Sequence, residues 1–296
     1  MQDNPLVSVI LPTHGGNVYL KSAIESVVGQ SYSNIELIII DDASTSQQMI
    51  YELIESISGI EVKYIRFDES VGGAKARNVG IDKAEGNFIA LLDSDDLWHP
   101  EKLFYQLKFR NIANVIGCSN EVFSNTSHLT DLNEKLTHLP QLVIVDDIVG
   151  ELFGKTGHSL TFQTSTLLIA SDIAKSVKFN ESLVRHQDYQ YILDLNLICG
   201  KFAYLSEYLC YYRKAKSPFS KLTKWKFFYS ADFLKLYYSY FSSVQLKNFF
   251  VSQLFVPSIK TGELFLWIKF AKKYGIFEIS LIWKIFKFII WRLVNK

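Results

Sequence analysis

Residues 88–96 read Phe-Ile-Ala-Leu-Leu-Asp-Ser-Asp-Asp, an apolar run that ends in three carboxylates within four positions. The apolar part is typical of a strand in a sheet that is covered on both faces. The carboxylates of Asp93, Asp95 and Asp96 repel one another at low dielectric, and a hard divalent ion such as Mg²⁺ or Mn²⁺ relieves that repulsion. An acidic turn before a helix that starts near Pro100 explains the same residues. This stretch alone leaves both interpretations open.

Similar apolar runs alternate with helical patterns on the amino-terminal side of this stretch. The predicted strands are residues 6–11, 35–40, 62–67 and 88–92, and the predicted helices are residues 19–28, 47–57 and 74–84. Strands that alternate with helices of this length indicate βαβ units and a mainly parallel sheet. Further along, residues 164–170 favour a strand and residues 187–199 a helix, whereas residues 120–160 give no clear pattern.

Polar residues follow several of these strands at the edge where ligands bind in parallel sheets. Pro12 and Thr13 close the first strand, and Asp41 and Asp42 close the second. A carboxylate at a strand end accepts hydrogen bonds from a ribose hydroxyl or a base N–H. Asp is equally a preferred helix N-cap, and considered alone the Asp41-Asp42 pair favours that alternative.

Two further segments carry groups suited to chemistry. In residues 72–80, Gly72 and Gly73 precede a predicted helix that contains Arg77, so backbone amides and a guanidinium could approach a phosphate. The spacing matches neither the P-loop nor the dinucleotide fingerprint. Asp188 stands in the first turn of the helix at 187–199, where it is either a capping charge or a general base.

Composition narrows the classes of function. The chain has 296 residues, 48% hydrophobic and 21% charged, which supports a sizeable core and excludes wholesale disorder. Cys118, Cys199 and Cys210 are too few and too scattered for a disulfide framework or a zinc site, and they fit a reducing compartment. No basic and then apolar leader opens the sequence, so we expect no signal peptide.

The net charge of +1 conceals two oppositely charged regions. Residues 1–212 carry 15 Lys and Arg against 27 Asp and Glu, whereas residues 213–296 carry 16 against 3 and hold 22 of the 43 aromatic residues. Such a change of charge and composition indicates two regions with different roles, and it places a boundary near residue 214.

Residues 276–296 have the pattern of a cationic amphipathic helix. Isoleucines recur on one face, Lys284 and Lys287 lie opposite, and Arg292 lies at the flank; the segment also contains Trp283 and Trp291. Such a helix suits an anionic membrane interface, although a helix packed on the rest of the protein has a similar stripe. No uncharged run reaches the roughly 20 residues that a membrane-spanning helix needs.

Five motifs stand in one order along the chain: V-S-V-I-L-P-T (7–13), E-L-I-I-I-D-D-A-S (36–44), G-G-A-K-A-R-N-V-G (72–80), F-I-A-L-L-D-S-D-D (88–96) and H-Q-D-Y (186–189). Together they resemble glycosyltransferase family 2 over about residues 5–215. The resemblance implies an α/β GT-A nucleotide-diphospho-sugar transferase fold over residues 1–213. Its nucleotide-binding half is expected at about 5–120 and its acceptor half at about 121–213, followed by a basic, aromatic, helical tail at 214–296.

The resemblance also implies site residues. The base and ribose of the donor would contact Pro12, Thr13, Asp41 and Asp42, and Arg77 would lie near the donor. The D-x-D motif falls on Asp93-Ser94-Asp95, where Asp93 would face the ribose, Asp95 would bind Mn²⁺ or Mg²⁺, and Asp96 would support them.

By the same resemblance Asp188 would be the catalytic base. Gln187 stands where Glu is common, and Tyr212-Arg213 lacks the His that often follows, so a diphosphate contact from that segment is in doubt. The processive Q-x-x-R-W motif is absent, which favours transfer of one sugar per acceptor.

We therefore expect an inverting, metal-dependent hexosyltransferase that uses a UDP-sugar and acts on a lipid-linked surface glycan of the O-antigen or capsule type. It would be cytoplasmic and peripheral at the inner face of the membrane, bound there by its C-terminal helices, with no nucleic-acid partner. Two alternatives stay open, a sugar nucleotidyltransferase and a non-catalytic membrane adaptor that kept a nucleotide-binding fold.

Overall fold

The structure is a computed structural model that describes residues 4–14, 19–123, 136–154, 160–213 and 227–276. The chain divides into two compact units. The first comprises Met1–Leu152 and Thr156–Lys216, and the second comprises Phe153–Lys155 and Ser217–Lys296. We call them the sheet unit and the helical unit.

The sheet unit begins with alternating strands and helices, as the apolar pattern predicts. The strands are β1 (Val7–Thr13), β2 (Ile35–Asp42), β3 (Glu61–Phe67) and β4 (Phe88–Leu91), and the helices are α1 (Leu20–Val28), α2 (Gln47–Glu55) and α3 (Gly73–Lys83). The four strands pair in parallel in the order β3-β2-β1-β4. Their carboxyl ends therefore meet at one edge of the sheet.

The rest of this unit extends the sheet and changes its direction. Its elements are β5 (Leu97–Trp98), α4 (Lys102–Lys108), β6 (Val115–Phe123), β7 (Leu142–Val145), α5 (Ile148–Phe153), β8 (Leu168–Ala170), α6 (Ser171–Ser176), α7 (Gln187–Cys199) and β9 (Phe202–Arg213). The full strand order is β3-β2-β1-β4-β8-β6-β9-β5, with β7 also paired to β9. Strand β8 runs antiparallel to β4 and β6, whereas β9 runs parallel to β6. The α/β fold with a sheet flanked by helices is confirmed.

The first strand continues past Pro12, although proline was expected to end it. Pro12 lies opposite Ile40 and Thr13 lies opposite Asp41 in the ladder between β1 and β2. The ladder on the other side, between β1 and β4, stops at the pair Ile10 and Leu91. A proline is tolerated there because strand β1 has a ladder on only one side beyond Ile10.

The segment predicted as a strand over residues 164–170 is mostly not one. Thr164–Thr166 is a short 3₁₀ turn, and only Leu168–Ala170 pairs with neighbouring strands. The side chains of Thr164 and Ser165 bind the loop after β4, as described below, so the β-branched residues here serve a turn rather than a ladder.

The helical unit has an aromatic core. Its elements are α8 (Phe227–Tyr237), α9 (Ser243–Phe249), a π-helical segment (Phe250–Phe255), α10 (Val256–Thr261) and α11 (Leu264–Lys273). The rings of Phe233 and Phe249 stack with centroids 5.5 Å apart. The indole N–H of the buried Trp267 donates to the carbonyl of Phe250 at 3.2 Å. Helices at the C-terminus are confirmed.

The amphipathic pattern at 276–296 lies outside the described residues except for Ile276. Across the described ranges, none of the helices combines the length and the apolar character that crossing a membrane requires.

Candidate active site

A pocket of about 280 Å³ lies at the carboxyl ends of β1, β2 and β4. It brings together seven of the nine residues that the sequence predicts for the site: Pro12, Thr13, Asp42, Arg77, Asp93, Ser94 and Asp95. His14, Gly73 and Ala76 complete the lining. Asp41 and Asp188 are absent from it and are placed separately below. The pocket follows from the parallel order of the strands, because β1, β2 and β4 end in polar residues at the same edge, where α3 begins.

Thr13 is a lining residue whose hydrogen bonding is incomplete. Its side chain is buried, and its Oγ1 has no hydrogen-bond partner among the described residues. Buried hydroxyls are almost always paired, so an unpaired hydroxyl that lines a pocket indicates a ligand group as its partner. This is the first structural sign that the pocket is a binding site.

Asp42 holds the loop that leads into α3. Its carboxylate accepts hydrogen bonds from the Ser70 hydroxyl at 2.9 Å, the Val71 N–H at 2.6 Å and the Gly72 N–H at 3.1 Å. Gly72 has φ +84° and ψ 159°, a backbone conformation that is essentially reserved for glycine. The carboxylate and the glycine together fix the start of α3 against the pocket.

Asp41 points into the protein instead. Its carboxylate accepts from the Tyr64 hydroxyl at 2.6 Å, the Arg66 guanidinium at 2.6 Å and the Ser44 N–H at 2.8 Å. Burial alone raises the pKa of Asp41, but the hydrogen bonds from Ser44, Tyr64 and Arg66 outweigh it and hold that pKa below its ordinary value. Asp41 is therefore a charged anchor for the turn after β2.

Arg77 and Asp93 form an ion pair across the pocket. The Arg77 guanidinium donates to the Asp93 carboxylate, and its carbon lies 5.5 Å from the centre of the Phe179 ring. The Arg77 side chain is 13% exposed, and its Nε has no hydrogen-bond partner among the described residues. Arg77 already compensates part of the negative charge of Asp93. Asp93 would therefore attract a cation less strongly than an unpaired carboxylate would.

The loop Asp93–Asp96 is held on one side by the 3₁₀ turn at 164–166. The Thr164 hydroxyl donates to Asp93 Oδ2 at 3.0 Å. The Ser165 hydroxyl accepts from the Asp93 N–H at 3.1 Å and donates to Asp96 Oδ2 at 2.6 Å. Sequence reasoning missed Thr164 and Ser165 because it assigned residues 164–170 to a strand.

Arg213 holds the same loop from β9. Its backbone N–H donates to Asp96 Oδ1 and its Nε to the carbonyl of Asp95, each at 3.1 Å. The guanidinium carbon lies 4.0 Å from the centre of the Tyr19 ring and 4.4 Å from that of Phe123. The sequence singled out Tyr212-Arg213 only for a diphosphate contact, whereas these contacts make Arg213 a support of the acidic loop.

Asp96 is buried behind Asp93 and Asp95. Burial, followed by the charges of Asp93 and Asp95, raises the pKa of Asp96 well above its ordinary value. The three carboxylates are thus close enough to repel one another, as the sequence predicts. Positive charge placed beside Asp95 would relieve this repulsion.

Asp188 stands half-buried in the first turn of α7. Burial is the main reason why its pKa is raised, and the nearby charge of Asp93 adds to the increase. The Tyr189 N–H, at 2.9 Å from Asp188 Oδ1, and the charge of Arg77 act in the opposite direction. Asp188 therefore lies within electrostatic range of the two pocket residues Arg77 and Asp93.

The residue before this turn has an unusual backbone. His186 has φ +64°, is buried, and stacks on Tyr189 with ring centroids 5.2 Å apart. Left-handed conformations cost free energy in residues other than glycine and concentrate at functional sites. Because His186 immediately precedes α7, its conformation sets the direction in which the first turn and Asp188 enter the site.

The described part of the chain does not supply a complete metal cage. Within the described residues, no group of three or more His, Cys, Asp and Glu side chains could hold a metal ion. Mg²⁺ commonly binds to one or two carboxylates together with substrate phosphates. Asp95, beside Asp93 in the pocket, fits that incomplete oxygen set, which a diphosphate would have to complete.

Comparisons with known proteins agree with this geometry. The model of the family described as "Glycosyl transferase family 2" matches residues 8–158. The amylovoran biosynthesis glycosyltransferase AmsB of Erwinia amylovora is 30% identical over 211 residues, which are 69% of this chain and 68% of that protein. The putative colanic acid biosynthesis glycosyl transferase WcaA of Escherichia coli (strain K12) is 33% identical over 158 residues, 51% of this chain and 56% of that protein.

Solved structures share the fold at lower identity. S. aureus TarS 1–349 in complex with UDP-GlcNAc has a TM-score of 0.59 and 19% identity, over 91% of this chain and 73% of that one. The mannosyltransferase PcManGT from Pyrobaculum calidifontis, in complex with GDP-Man and Mn²⁺, has a TM-score of 0.57 and 14% identity, over 98% and 81%. At these identities the likeness concerns the fold alone.

Proposed function

This chain belongs to glycosyltransferase family 2, and from that membership we propose that it transfers one hexose from a UDP-sugar to a hydroxyl of a lipid-linked surface glycan, with inversion at the anomeric carbon. That it is a glycosyltransferase follows from the family and confirms the predicted enzyme class. The donor, the metal, the stereochemistry and the acceptor are the proposal.

One observation carries the proposal: the pocket at the carboxyl ends of β1, β2 and β4 contains Pro12, Thr13, Asp42, Arg77, Asp93, Ser94 and Asp95. These residues come from four separate segments of the sequence. If each of these residues had only a local structural role, they would not need to line one concave surface together. The unpaired Oγ1 of Thr13 in the same pocket supports a bound ligand.

The roles proposed for the donor-site residues come from the family resemblance. Pro12, Thr13 and Asp42 would contact the nucleoside, with Asp42 also keeping the loop before α3 in place. Asp93 and Ser94 would face the ribose, and Arg77 would contribute positive charge beside it. Asp41 would act through the turn that it anchors, because Ser44, Tyr64 and Arg66 already occupy its carboxylate.

Asp95 is the residue that would hold Mn²⁺ or Mg²⁺. When bound, such an ion would supply positive charge that stabilises the departing diphosphate. Arg213 would keep the backbone of Asp95 in position through its carbonyl, and Ser165 would hold the neighbouring Asp96 carboxylate. Oxygen ligands that are already fixed lose little freedom when a ligand arrives, which favours binding.

Asp188 would act as the general base. Its ionised carboxylate would take the proton of the acceptor hydroxyl while that oxygen forms a bond to the anomeric carbon and the bond to the nucleoside diphosphate breaks. A single displacement of this kind inverts the anomeric centre, so an α-linked donor gives a β-linked product. The pKa of Asp188 is raised towards neutral pH. A general base is most effective when its pKa lies near the pH at which the enzyme works.

The acceptor and the location are inferred from the relatives and from the tail. AmsB is named for the biosynthesis of amylovoran, and WcaA is named as a putative glycosyl transferase of colanic acid biosynthesis. A basic, aromatic C-terminal region is suited to an anionic membrane surface, where lipid-linked acceptors reside. We place the enzyme at the inner face of the cytoplasmic membrane.

The experiment measures nucleotide release from UDP-, GDP- and dTDP-sugars in the presence of Mn²⁺, Mg²⁺ or EDTA. We expect slow release from a UDP-sugar that stops in EDTA, and faster release when acceptor glycolipid is added. Asp188→Asn should suppress the acceptor-dependent rate, whereas Asp194→Asn on the same helix is the matched control. No release from any donor, together with no metal-dependent nucleotide binding in a thermal-shift assay, would contradict the proposal.

A further inference from the structure

A groove of about 640 Å³ lies within the helical unit, between α8 and α11. Phe227 and Phe228 of α8 and Phe270 of α11 form its apolar floor. The rings of Phe227 and Phe270 meet edge to face with centroids 5.4 Å apart, and the Phe227 N–H donates to Glu263 Oε2 at 3.3 Å. The volume lies within the roughly 300–1,000 Å³ that is typical of sites for small ligands.

Lysines form the rim of this groove. Lys272 and Lys273 stand about one turn after Lys269 on α11, and Lys235 stands on α8. All four side chains are exposed, and Lys235 also forms an ion pair with Asp232 at 2.7 Å. Like charges at i, i+3 and i+4 destabilise a helix, so an anion beside Lys269, Lys272 and Lys273 would stabilise α11.

Within residues 227–276, lysines outnumber carboxylates. Residues 227–276 carry six lysines against two carboxylates, Asp232 and Glu263. Lys235 is paired with Asp232, and Glu263 accepts the Phe227 N–H. The groove therefore combines an apolar floor with a positive edge, and its complement is an amphiphile that has an apolar chain and an anionic head.

We propose that this groove binds a phospholipid of an anionic membrane surface, with an acyl chain on Phe227, Phe228 and Phe270 and the phosphate on the lysines of α11. Charge decides against two other occupants. Residues 277–296 are themselves basic, with Lys284, Lys287, Arg292 and Lys296 against Glu278, and a second copy of the helical unit is basic as well. Free phosphate would use the lysines but leave the aromatic floor exposed to water.

This inference does not depend on sugar transfer. It concerns residues 227–276 and involves none of the residues assigned to the pocket of the sheet unit. Vesicle binding is measured without donor or acceptor, so failure of the lipid site and failure of the proposed catalytic function give different results.

The test measures binding of the full chain to phosphatidylcholine vesicles with and without phosphatidylglycerol. We expect binding to the anionic vesicles only. The double variant Lys269→Gln/Lys273→Gln should bind about 25-fold more weakly, at roughly fivefold for each lysine. Phe228→Ser, which alters a half-exposed ring, should weaken binding by about tenfold.

Two matched controls lie in the same unit and outside the lining of the groove. Lys247→Gln removes one positive charge from α9 and is matched to the single variant Lys269→Gln, and Phe265→Ser removes a ring that is 76% exposed on α11. Both should bind vesicles like the unmodified protein. Circular dichroism and thermal unfolding check that each variant is folded.

Three results would overturn the proposal. The first is absence of binding to anionic vesicles. The second is an equal loss in the groove variants and their controls, since binding would then reflect overall charge. The third is full displacement from vesicles by millimolar inorganic phosphate at constant ionic strength, because the lysines would then bind free phosphate and not a lipid.

Discussion

The pocket of the sheet unit and the groove of the helical unit differ in how their charges are held. In the pocket, Asp93 accepts from Arg77 and Thr164, and Asp96 accepts from Ser165 and Arg213. In the groove, the charged groups are the ammonium groups at the ends of exposed lysine side chains. Two sites that we propose for phosphate-bearing ligands can therefore differ in how sensitive they are to substitution. One substitution in the fixed network should weaken ligand binding or turnover strongly. Each substitution in the rim of lysines should weaken binding only slightly.

The largest expected effect is that of Asp188→Asn. The amide cannot accept the acceptor proton, so kcat should fall about 10²–10⁴-fold while the KM for the donor changes little. Initial rates with saturating acceptor measure this. Asp194→Asn, on the same helix, should retain the original kcat. Unchanged turnover in Asp188→Asn would show that Asp188 is not the general base.

A smaller effect is expected for Arg213→Met. Methionine keeps much of the apolar contact with Tyr19 and Phe123 but loses the hydrogen bond to the Asp95 carbonyl. Groups that orient metal ligands typically contribute about 10–100-fold to metal affinity or activity, and we expect a loss of that size. Titration of Mn²⁺ against turnover measures it as a higher metal requirement. Arg110→Met is the control, since its guanidinium donates to the carbonyl of Leu107 at the end of α4. A loss of kcat with no change in the Mn²⁺ requirement would contradict this role.

A single lysine of the groove should matter less. Lys269→Gln should weaken binding to anionic vesicles roughly fivefold and leave turnover on a water-soluble acceptor within about twofold. Asp188→Asn should show the reverse, with vesicle binding unchanged. Loss of both properties in either variant would mean that the two regions do not act separately.

The smallest effect concerns pH. Asp188 must be ionised to accept a proton, and its pKa is raised mainly by burial, so kcat should rise with pH until that raised pKa is passed. The charge of Arg77 lowers the pKa of Asp188, so Arg77→Gln should move this acid limb to higher pH. The pH dependence of kcat at saturating donor tests this, with Arg110→Gln as the control. An acid limb that stays in place, or moves to lower pH, would contradict the assignment.

Much of the sheet unit could be predicted because its apolar pattern alternates regularly. Helix α7 begins and ends where its pattern predicts, and β2 and α3 differ by two residues or fewer. The motifs also predicted a common pocket, since strand ends in a parallel sheet meet at one edge. The site roles of Asp188 and of the pocket residues stay predictions until variants are measured.

Other features depend on contacts between distant residues, which a local pattern does not contain. Asp41 and Asp42 are adjacent and chemically identical, yet Asp41 binds Tyr64 and Arg66 while Asp42 binds the loop before α3. Arg213 reaches Asp95 across 118 positions in the sequence. The lysines of α11 were visible in the sequence, but only the packing of Phe227 on Phe270 shows that a groove lies beside them.

The most direct test of the central claim is calorimetric binding of UDP with Mn²⁺ or EDTA to the unmodified protein, to Asp95→Asn and to the control Asp172→Asn. The account predicts Mn²⁺-dependent binding by the unmodified protein and the control, and at least about tenfold weaker binding by Asp95→Asn in Mn²⁺. Equal affinity of all three proteins, or affinity that EDTA does not change, would contradict the claim that the pocket with Asp95 is a metal-assisted donor site.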